Sequence, residues 1–411
     1  MAVLRSIIID NKSEHIDLFK EILATFDMQK IEVVDDSDKA VDVIKKSKPQ
    51  FAILSLDTGP TDGTVVVQKI RAIPQFQYLP ILMYSNSVSD DDIYLLNELG
   101  FDNILRPPFE LEKVKEIIKT KINSENELSD TEKALRNVEK LLSEEKISSA
   151  IQLLTPAITN DESNFLRANT LAGQVYLAIE KVDRAKEFLA RVKEKDADFP
   201  PGKYLEAMIC SANDENDRAI EILQEMVEMA PNNISTLLNL GSAYISADRI
   251  EEANATLDQI STLDEDNPQL DTERGKAAFK EGDMDKAKAL LSKTGQGLKL
   301  AKFFNQAAIK FVNANEIEKG ISTYGQAIDI MQGSHMLYKL IYNLGLAHKK
   351  NKENQKAFDC FCESYLAEPG FENAYKQIAI LYKSKSDLNL EVDPDMLQKI
   401  KSSRKKVKAP A

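Results

Sequence analysis

The chain has 411 residues, with 53 lysines and arginines against 66 aspartates and glutamates, a net charge of −13. That length implies two or more domains, and the acidic balance argues against general binding to nucleic acid or an anionic membrane. No apolar run approaches the ~18 residues of a membrane span. Cys210, Cys360 and Cys362 supply no disulfide framework, and Met1 to Asp10 has three consecutive isoleucines without a cleavage pattern. The expected location is the cytoplasm.

Strand and helix alternate over residues 1–122. Ser6 to Asp10 reads as a buried strand ending in an acid, and Ile16, Phe19, Ile22, Leu23 and Phe26 recur at helical spacing. Ile31 to Val34 is a second strand, followed by a helix with Ala40, Val43 and Ile44 on one face. Phe51 to Leu56 is strand three, Val65 to Ile73 a helix, and Pro80 to Tyr84 strand four. Ile93 to Leu99 is helical, Asn103 to Leu105 is strand five, and Leu111 to Ile122 closes the domain. Five such units predict a doubly wound, flavodoxin-like α/β fold with a five-stranded parallel sheet. Its crevice is expected at the carboxyl ends of strands one and three.

Four anchors carry a resemblance across this segment. They are the acidic end of strand one, Asp62-Gly63 after strand three, Leu79-Pro80 before strand four, and Pro107-Pro108-Phe109 after strand five. The segment resembles a bacterial response-regulator receiver. The resemblance implies a Mg²⁺ site built from acids after strand one and an aspartate of strand three that accepts a phosphoryl group. It also implies a Ser/Thr after strand four and a lysine after strand five that contact the phosphoryl oxygens. Such chemistry is positioning plus charge neutralisation, so lost charge removes the catalyst. Asp10 keeps the first acid, Asn11 replaces the second, Ser55 stands in the phosphoacceptor place, Ser85 keeps the hydroxyl, and Pro107 replaces the lysine. Mg²⁺ then lacks its usual carboxylate set, and Ser55 has no neighbouring base to activate it. The expectation is a pseudo-receiver with no catalytic residue, metal or cofactor.

A second reading uses Asp57, two residues past Ser55 and on the same face of an extended strand. A kinked loop would return it to the pocket, Mg²⁺ would then be needed, and the gap-free spacing would be lost. Arg106 reads as a rim residue rather than a replacement cation, and the family's motif implies a cis bond at Pro107-Pro108. Receivers usually signal through a surface that here spans roughly Asp90 to Leu99, Ile104 and Leu111 to Ile122. That surface would dimerise, or bind a histidine kinase or another regulator without being phosphorylated, or would simply pack on the first repeats that follow it in the chain.

Residues 123–130 form a short polar linker. From Thr131 to about Lys385 a small residue keeps returning: Ala150, Ala185, Ala219, Ala253, Ala287, Gly320 and Ala357, at or near 34 residues apart. A large apolar residue follows four positions later, from Leu154 to Phe361, and a small residue such as Gly173, Gly241 or Gly345 precedes it by twelve. This pattern resembles the tetratricopeptide repeat (TPR) family, whose period is 34 residues. The resemblance implies about seven helix pairs stacked into an all-α superhelical solenoid, with a cap at Glu372 to Ser384. It also implies a peptide-binding groove including Asn239, Lys302, Asn305, Lys339, Tyr342 and Asn343, suited to an acidic or carboxylate-bearing segment.

Cys360 and Cys362 point apart on a helix, so neither marks a metal site. His348 reads as packing. Residues 386–411 form a basic tail, with Lys399, Lys401, Arg404, Lys405, Lys406 and Lys408, expected to be a solvated, frayed helix. The first functional expectation is a non-enzymatic adaptor of a two-component pathway that holds another response regulator, a histidine kinase or an effector, and inhibits or sequesters it. The alternative is a phosphorylation-controlled regulator using Asp57, with the groove as its output. No convergent catalytic set points to a third, enzymatic class.

Overall fold

The computed structural model describes residues 4–408, apart from 102, 145, 158–163, 293 and 295. The chain divides into two compact units, Met1–Leu270 and Asp271–Ala411. Among the described residues, no helix is long and apolar enough to cross a membrane.

The first unit opens with β1 (Leu4–Ile9), α1 (Ser13–Ala24), β2 (Met28–Val34), α2 (Ser37–Ser47), β3 (Phe51–Ser55) and α3 (Gly63–Arg71). It continues with β4 (Ile81–Tyr84), α4 (Asp90–Glu98), β5 (Ile104–Leu105) and α5 (Leu111–Asn126). The strands lie in the order β2-β1-β3-β4-β5, all parallel. Strand alternation builds two cores. Ile7, Ile9, Ala52, Leu54, Ile81 and Met83 pack with residues of α2, α3 and α4. Ile8, Phe51, Ile53, Leu82 and Tyr84 pack with α1 and α5. This is the fold expected from the strand and helix alternation.

The closing helix runs further than its apolar pattern: α5 continues through Asn126, and the next helix starts at Asp130. Ser129 caps that start by accepting from the Glu132 N–H at 3.1 Å. Four helix pairs follow in this unit: α6 (Asp130–Ser143) with α7 (Ile147–Ala157), α8 (Phe165–Ala178) with α9 (Val182–Lys195), α10 (Pro200–Ala212) with α11 (Asn216–Met229), and α12 (Ile234–Ser246) with α13 (Ile250–Leu263).

Helix α14 (Pro268–Glu281) begins at the division between the units and pairs with α15 (Met284–Leu291). The second unit continues with α16 (Gly297–Asn313), α17 (Ile317–Ile330), α18 (Leu337–Lys350), α19 (Asn354–Ala367), α20 (Glu372–Lys383) and α21 (Pro394–Lys408). In both units the recurring alanines are fully buried, and the large residues four positions on are at most 8% exposed. The preceding small residue lets the two helices of a pair approach. A Cβ on Gly345 would lie 2.7 Å from Phe361 Cε1 and 3.1 Å from Cys360 Cβ.

A second periodicity lies in the turn inside each pair. Glu180, Asp214, Asp248, Gly282, Asn315 and Lys352 all have positive φ, between 60 and 86°. The next residue's N–H donates to a carbonyl five residues back, as in Lys181 to Tyr176, Arg249 to Tyr244 and Glu353 to His348, each at 2.9 Å. This is a left-handed helix cap closing the first helix of the pair.

The basic C-terminal stretch differs from the frayed helix expected of it. Ile400 of α21 is buried in one cluster with Phe358, Phe361 and Ile378, and Met396 and Leu397 pack against it. The Arg404 guanidinium lies over the Tyr375 ring at 3.3 Å and 3.7 Å from Glu372. Met396, Leu397 and Ile400 share one helical face, which the count of lysines around them obscured. The side chains of Lys405, Lys406 and Lys408 lie outside the described residues.

Candidate functional site

The crevice forms where β1, β3 and β4 end. Asp10 follows β1 and is fully buried. Its Oδ1 accepts from the Asn11 N–H at 2.7 Å, the Lys12 N–H at 3.1 Å and the Thr58 hydroxyl at 3.3 Å. Its Oδ2 accepts from the Tyr84 hydroxyl and lies 3.3 Å from His15 Nδ1. Burial, and then the Asp10 carboxylate, push the Tyr84 phenol above its ordinary range. Ser55 ends β3, is 1% exposed, and bonds to Tyr84. His15 stands edge-on to Tyr84 and Phe109, a wall of the pocket that sequence reasoning missed.

Asp57, not Ser55, meets Ser85. The Ser85 hydroxyl donates to Asp57 Oδ1 at 2.5 Å, and Asn86 donates to Oδ2 through its backbone N–H at 2.9 Å and its Nδ2 at 2.6 Å. Partial burial pushes the Asp57 carboxyl up. The Asn86 and Ser85 bonds and the nearby Lys12 charge outweigh that and hold it below its ordinary value. The chain leaves β3 in a turn at Leu56 and Asp57, and the loop continues through Gly59 at φ +83°, where a Cβ would meet the Ser37 nitrogen at 2.8 Å. Asn11 and Arg106 are exposed, and Pro107-Pro108 is a cis peptide. Among the described residues, no three His, Cys, Asp or Glu side chains gather at metal-binding distance.

The receiver-like fold packs on the repeats of the same unit through α3 and through α4, the latter part of the surface expected to signal or to pack on the repeats. Gln68 reaches the turn before α12: its Nε2 donates to the Asn232 carbonyl at 2.9 Å and its Oε1 accepts from the Ile234 N–H at 2.8 Å. Val65 shares a core with Ile234, Leu237 and Leu238. Lys69 pairs with Asp264 at 3.1 Å, and Asn233 Nδ2 donates to Glu98 Oε2 of α4 at 2.5 Å. Burial raises the Glu98 carboxyl against the donors Asn233 and Tyr94.

A second contact surrounds Tyr78. The Arg136 guanidinium lies 4.2 Å from its ring centre, and Arg167 Nη2 donates to its hydroxyl at 3.4 Å. Arg136 forks onto Glu125 with two bonds of 2.8 Å and reaches Glu132 at 2.6 Å. Arg167 holds Glu132 at 2.7 Å and Glu139 at 2.8 Å. Burial pushes Glu132 up, but the two arginines outweigh it and lower its pKa.

This docking face was legible only in part. Val65, Val66, Val67 and Ile70 are all buried. A helix apolar around so much of its girth needs a second partner. The partners themselves lie 58 to 195 residues away in sequence, where no local pattern links them.

The six expected groove residues are not one set of free side chains. Asn239 is half-buried and donates to the Ser235 carbonyl of its own helix at 2.6 Å. Asn305 Oδ1 accepts from both Asn343 Nδ2 and the Tyr324 hydroxyl at 2.7 Å, so these groups join neighbouring helices instead of offering open amides. Tyr342 packs against Phe361 and Phe371. Lys302 and Lys339 are half-buried. His348 is buried, with Nδ1 2.8 Å from Glu353. Burial pushes both Cys360 and Cys362 up to about 12.

Residues 7–119 match the response regulator receiver domain family, and residues 141–209 and 212–277 match the tetratricopeptide repeat family. The chain therefore carries a receiver domain followed by tetratricopeptide repeats, the composition of a two-component signalling protein with a protein-interaction scaffold. Among solved structures it is similar to the phosphorylated cyanobacterial phytochrome response regulator RcpA, at 22% identity over 28% of this chain and 90% of that one, TM-score 0.26. It is also similar to the APC/C hetero-tetramer Cut9-Hcn1, at 16% identity over 71% and 63%, TM-score 0.37. A tetratricopeptide repeat protein from Parabacteroides merdae matches at 12% identity over 61% and 98%, TM-score 0.35. No curated protein matches the chain.

Proposed function

We propose that this chain is a non-enzymatic, cytoplasmic adaptor of a bacterial two-component pathway. Its receiver is a pseudo-receiver that performs no phosphoryl transfer. Its repeats hold a protein partner, which is another response regulator, a histidine kinase or an effector, and keep it from acting. The observation that carries this reading is that both pocket carboxylates are already engaged by the protein's own donors. Asp10 is buried under Tyr84, Thr58 and two backbone N–H groups, and Asp57 is held by Ser85 and Asn86. Mg²⁺ does not fit this set, because it requires several oxygens open in near-octahedral array. Lys12 adds a positive charge on the Asp57 side. The exposed Asn11 side chain and Pro107 supply neither the second acid nor the cation that phosphoryl transfer uses.

A second reading is favoured by one contact. Asp57 sits on the Ser85 hydroxyl at 2.5 Å, beside the group that would hold a phosphoryl oxygen. Asp57 would then be the phosphoacceptor, with the docked repeats as its output. Hydrogen exchange on the full-length protein, with and without Mg²⁺ and beryllium fluoride, separates the two. The adaptor reading expects unchanged exchange in peptides spanning Asp10, Asp57 and Ser85. Protection of those peptides that Asp57→Ala abolishes would make the protein a phospho-switch.

A further inference from the structure

A cavity of about 740 Å³ lies inside the first unit, between the receiver domain and the repeats. Small-molecule sites have volumes of roughly 300–1,000 Å³. The receiver supplies Arg71 at the end of α3, Leu79 before β4 and Phe101 after α4, and the repeats supply Leu171 of α8 and Phe199 just before α10. Leu79, Phe101 and Leu171 are buried, so both walls are built on apolar side chains.

The charges in this lining are not all compensated. Arg136 and Arg167 are each held by two carboxylates, with Glu132 shared between them. Arg71 is not. Its Nη1 donates to the Phe76 carbonyl at 3.2 Å, and its guanidinium lies 4.8 Å from the Phe101 ring centre. These two contacts fix the direction of the fork. Among the described residues, no carboxylate lies at ion-pair distance from it. One N–H donor is spent on the Phe76 carbonyl, and none of the rest is buried without a partner. They therefore reach accessible space, and Arg71 lines this cavity.

Burial pushes the Arg71 pKa down to about 10, while Glu125, from beyond ion-pair distance, raises it and Arg136 lowers it. The carboxyl end of α3 supplies only a partial negative charge. A partly buried cation without its counter-charge is costly, and an anion in the cavity would offset that cost.

We propose that this cavity binds a small organic monocarboxylate with an aromatic or aliphatic body. The carboxylate takes the two-pronged edge of Arg71, and the body lies between Leu79 on the receiver and Leu171 and Phe199 on the repeats. The carboxylates of Glu98, Glu125, Glu132 and Glu139 also line the cavity, and they repel a phosphate dianion more than a single negative charge. The recognising cation belongs to the receiver, so the site exists only where the two folds meet and is distinct from a peptide groove of the repeats. A ligand that touches both walls binds the docked arrangement alone and stabilises it. This goes beyond the adaptor reading and does not depend on the chemistry at Asp57.

The test uses the full-length protein and a set of probes, 2-naphthoate, 4-phenylbutyrate and octanoate, each beside its primary amide, with binding read by titration calorimetry. At least one acid is expected to bind with a dissociation constant below about 1 mM, and its amide ~tenfold or more weakly. Arg71→Met keeps an unbranched stem and removes the fork, and should weaken the acid by ~tenfold or more while leaving the amide unchanged. Phe199→Ala, on the opposite wall, should weaken acid and amide alike. In the wild type, the bound acid should slow amide exchange in peptides spanning residues 97–101 and 199–203 together, a readout that needs no variant to fold. Equal binding of acid and amide, tighter binding of phenyl phosphate than of every acid, or wild-type affinity in Arg71→Met would each overturn the proposal. So would the absence of any acid binding below about 1 mM, or protection confined to one of the two walls.

Discussion

Gln68→Ala tests whether the receiver is held on its repeats as described. Gln68 is 8% exposed and spans the turn before α12 with bonds of 2.9 and 2.8 Å. Its backbone partners fix the amide's orientation, since the Ile234 N–H can only donate and the Asn232 carbonyl only accept. Two neutral hydrogen bonds contribute about 1 kcal/mol each. The Ile234 N–H is also one of the first donors of α12, which have no partner within the helix. Leaving it and the Asn232 carbonyl bare costs about 1–3 kcal/mol more where water stays out. The sum is about 2–5 kcal/mol, with entry of water giving the lower end. At 1.4 kcal/mol per factor of ten, exchange of the Ile234 amide should accelerate by roughly 30- to 4,000-fold. The assay is residue-resolved hydrogen exchange on the intact chain, with amides inside α12 as internal reference. Gln68→Glu keeps an acceptor for Ile234 but sets an oxygen against the Asn232 carbonyl, so it should be no better than alanine. Unchanged Ile234 exchange in both variants would refute the clamp.

Two further predictions address packing and pH. Gly345→Ala places a methyl 2.7 Å from the fully buried Phe361 ring. Overpacking of about 1–3 kcal/mol should exceed the ~1 kcal/mol that alanine gains over glycine in a helix, lowering the denaturation midpoint. Gly241→Ala meets only the movable Leu257 Cδ2 at 3.2 Å and should be neutral or stabilising in the same measurement. For Glu98, burial raises the folded-state pKa above the ordinary glutamate value of 4.5. A carboxyl that binds its proton more tightly when folded stabilises the fold below its unfolded pKa, and that contribution is lost as pH rises through the folded value. Denaturation of the wild type should show this decline from pH 4.5 upward, and Glu98→Gln should lack it. An identical pH profile in the two proteins would remove Glu98 from the docking energetics.

What could be read from the sequence depends on how each feature is encoded. The alanine series and the strand alternation repeat, and each repeat reports a burial that recurs at the same phase. Ala185, Ala219 and Ala253 are therefore both legible and fully buried. The left-handed turn positions repeat as well. Their residues, Glu180, Asp214, Asp248 and Lys352 among them, share only a backbone angle, and five of the six are not glycine. A side-chain pattern does not show that. Asp57 was legible as a candidate, but register alone placed Ser55 at the acceptor position. The turn after Ser55 brings the Asp57 oxygens to the Ser85 hydroxyl, a contact that register does not show. The docking face was the least legible because Gln68 and Ile234, or Tyr78 and Arg167, are joined by tertiary structure alone.

The two readings of the receiver part at α4. Its amino end follows the Ser85-Asn86 loop that grips Asp57, and Ser89 caps its first turn by accepting from the Asp92 N–H at 3.1 Å. Its carboxyl end presents Glu98 to Asn233 on the repeats. A phosphoryl group on Asp57 would compete for the Ser85 hydroxyl and the Asn86 N–H. It would pull on α4, which reaches the repeats through Glu98. In a receiver that is never phosphorylated, the same chain of contacts does the opposite. Asp57 holds the loop, the loop holds α4, and α4 together with Gln68 and Lys69 of α3 holds the repeats. Asp57→Ala therefore has a consequence under either reading. With the carboxylate gone, Ser85 and Asn86 lose their acceptor, and exchange should rise first in the 85–89 loop and then along α4. That rise should appear without any phosphoryl donor in the adaptor reading. In the switch reading it should be small, because the untouched receiver would already sample the released loop. The size of that donor-free change therefore measures how firmly Asp57 locks the domain.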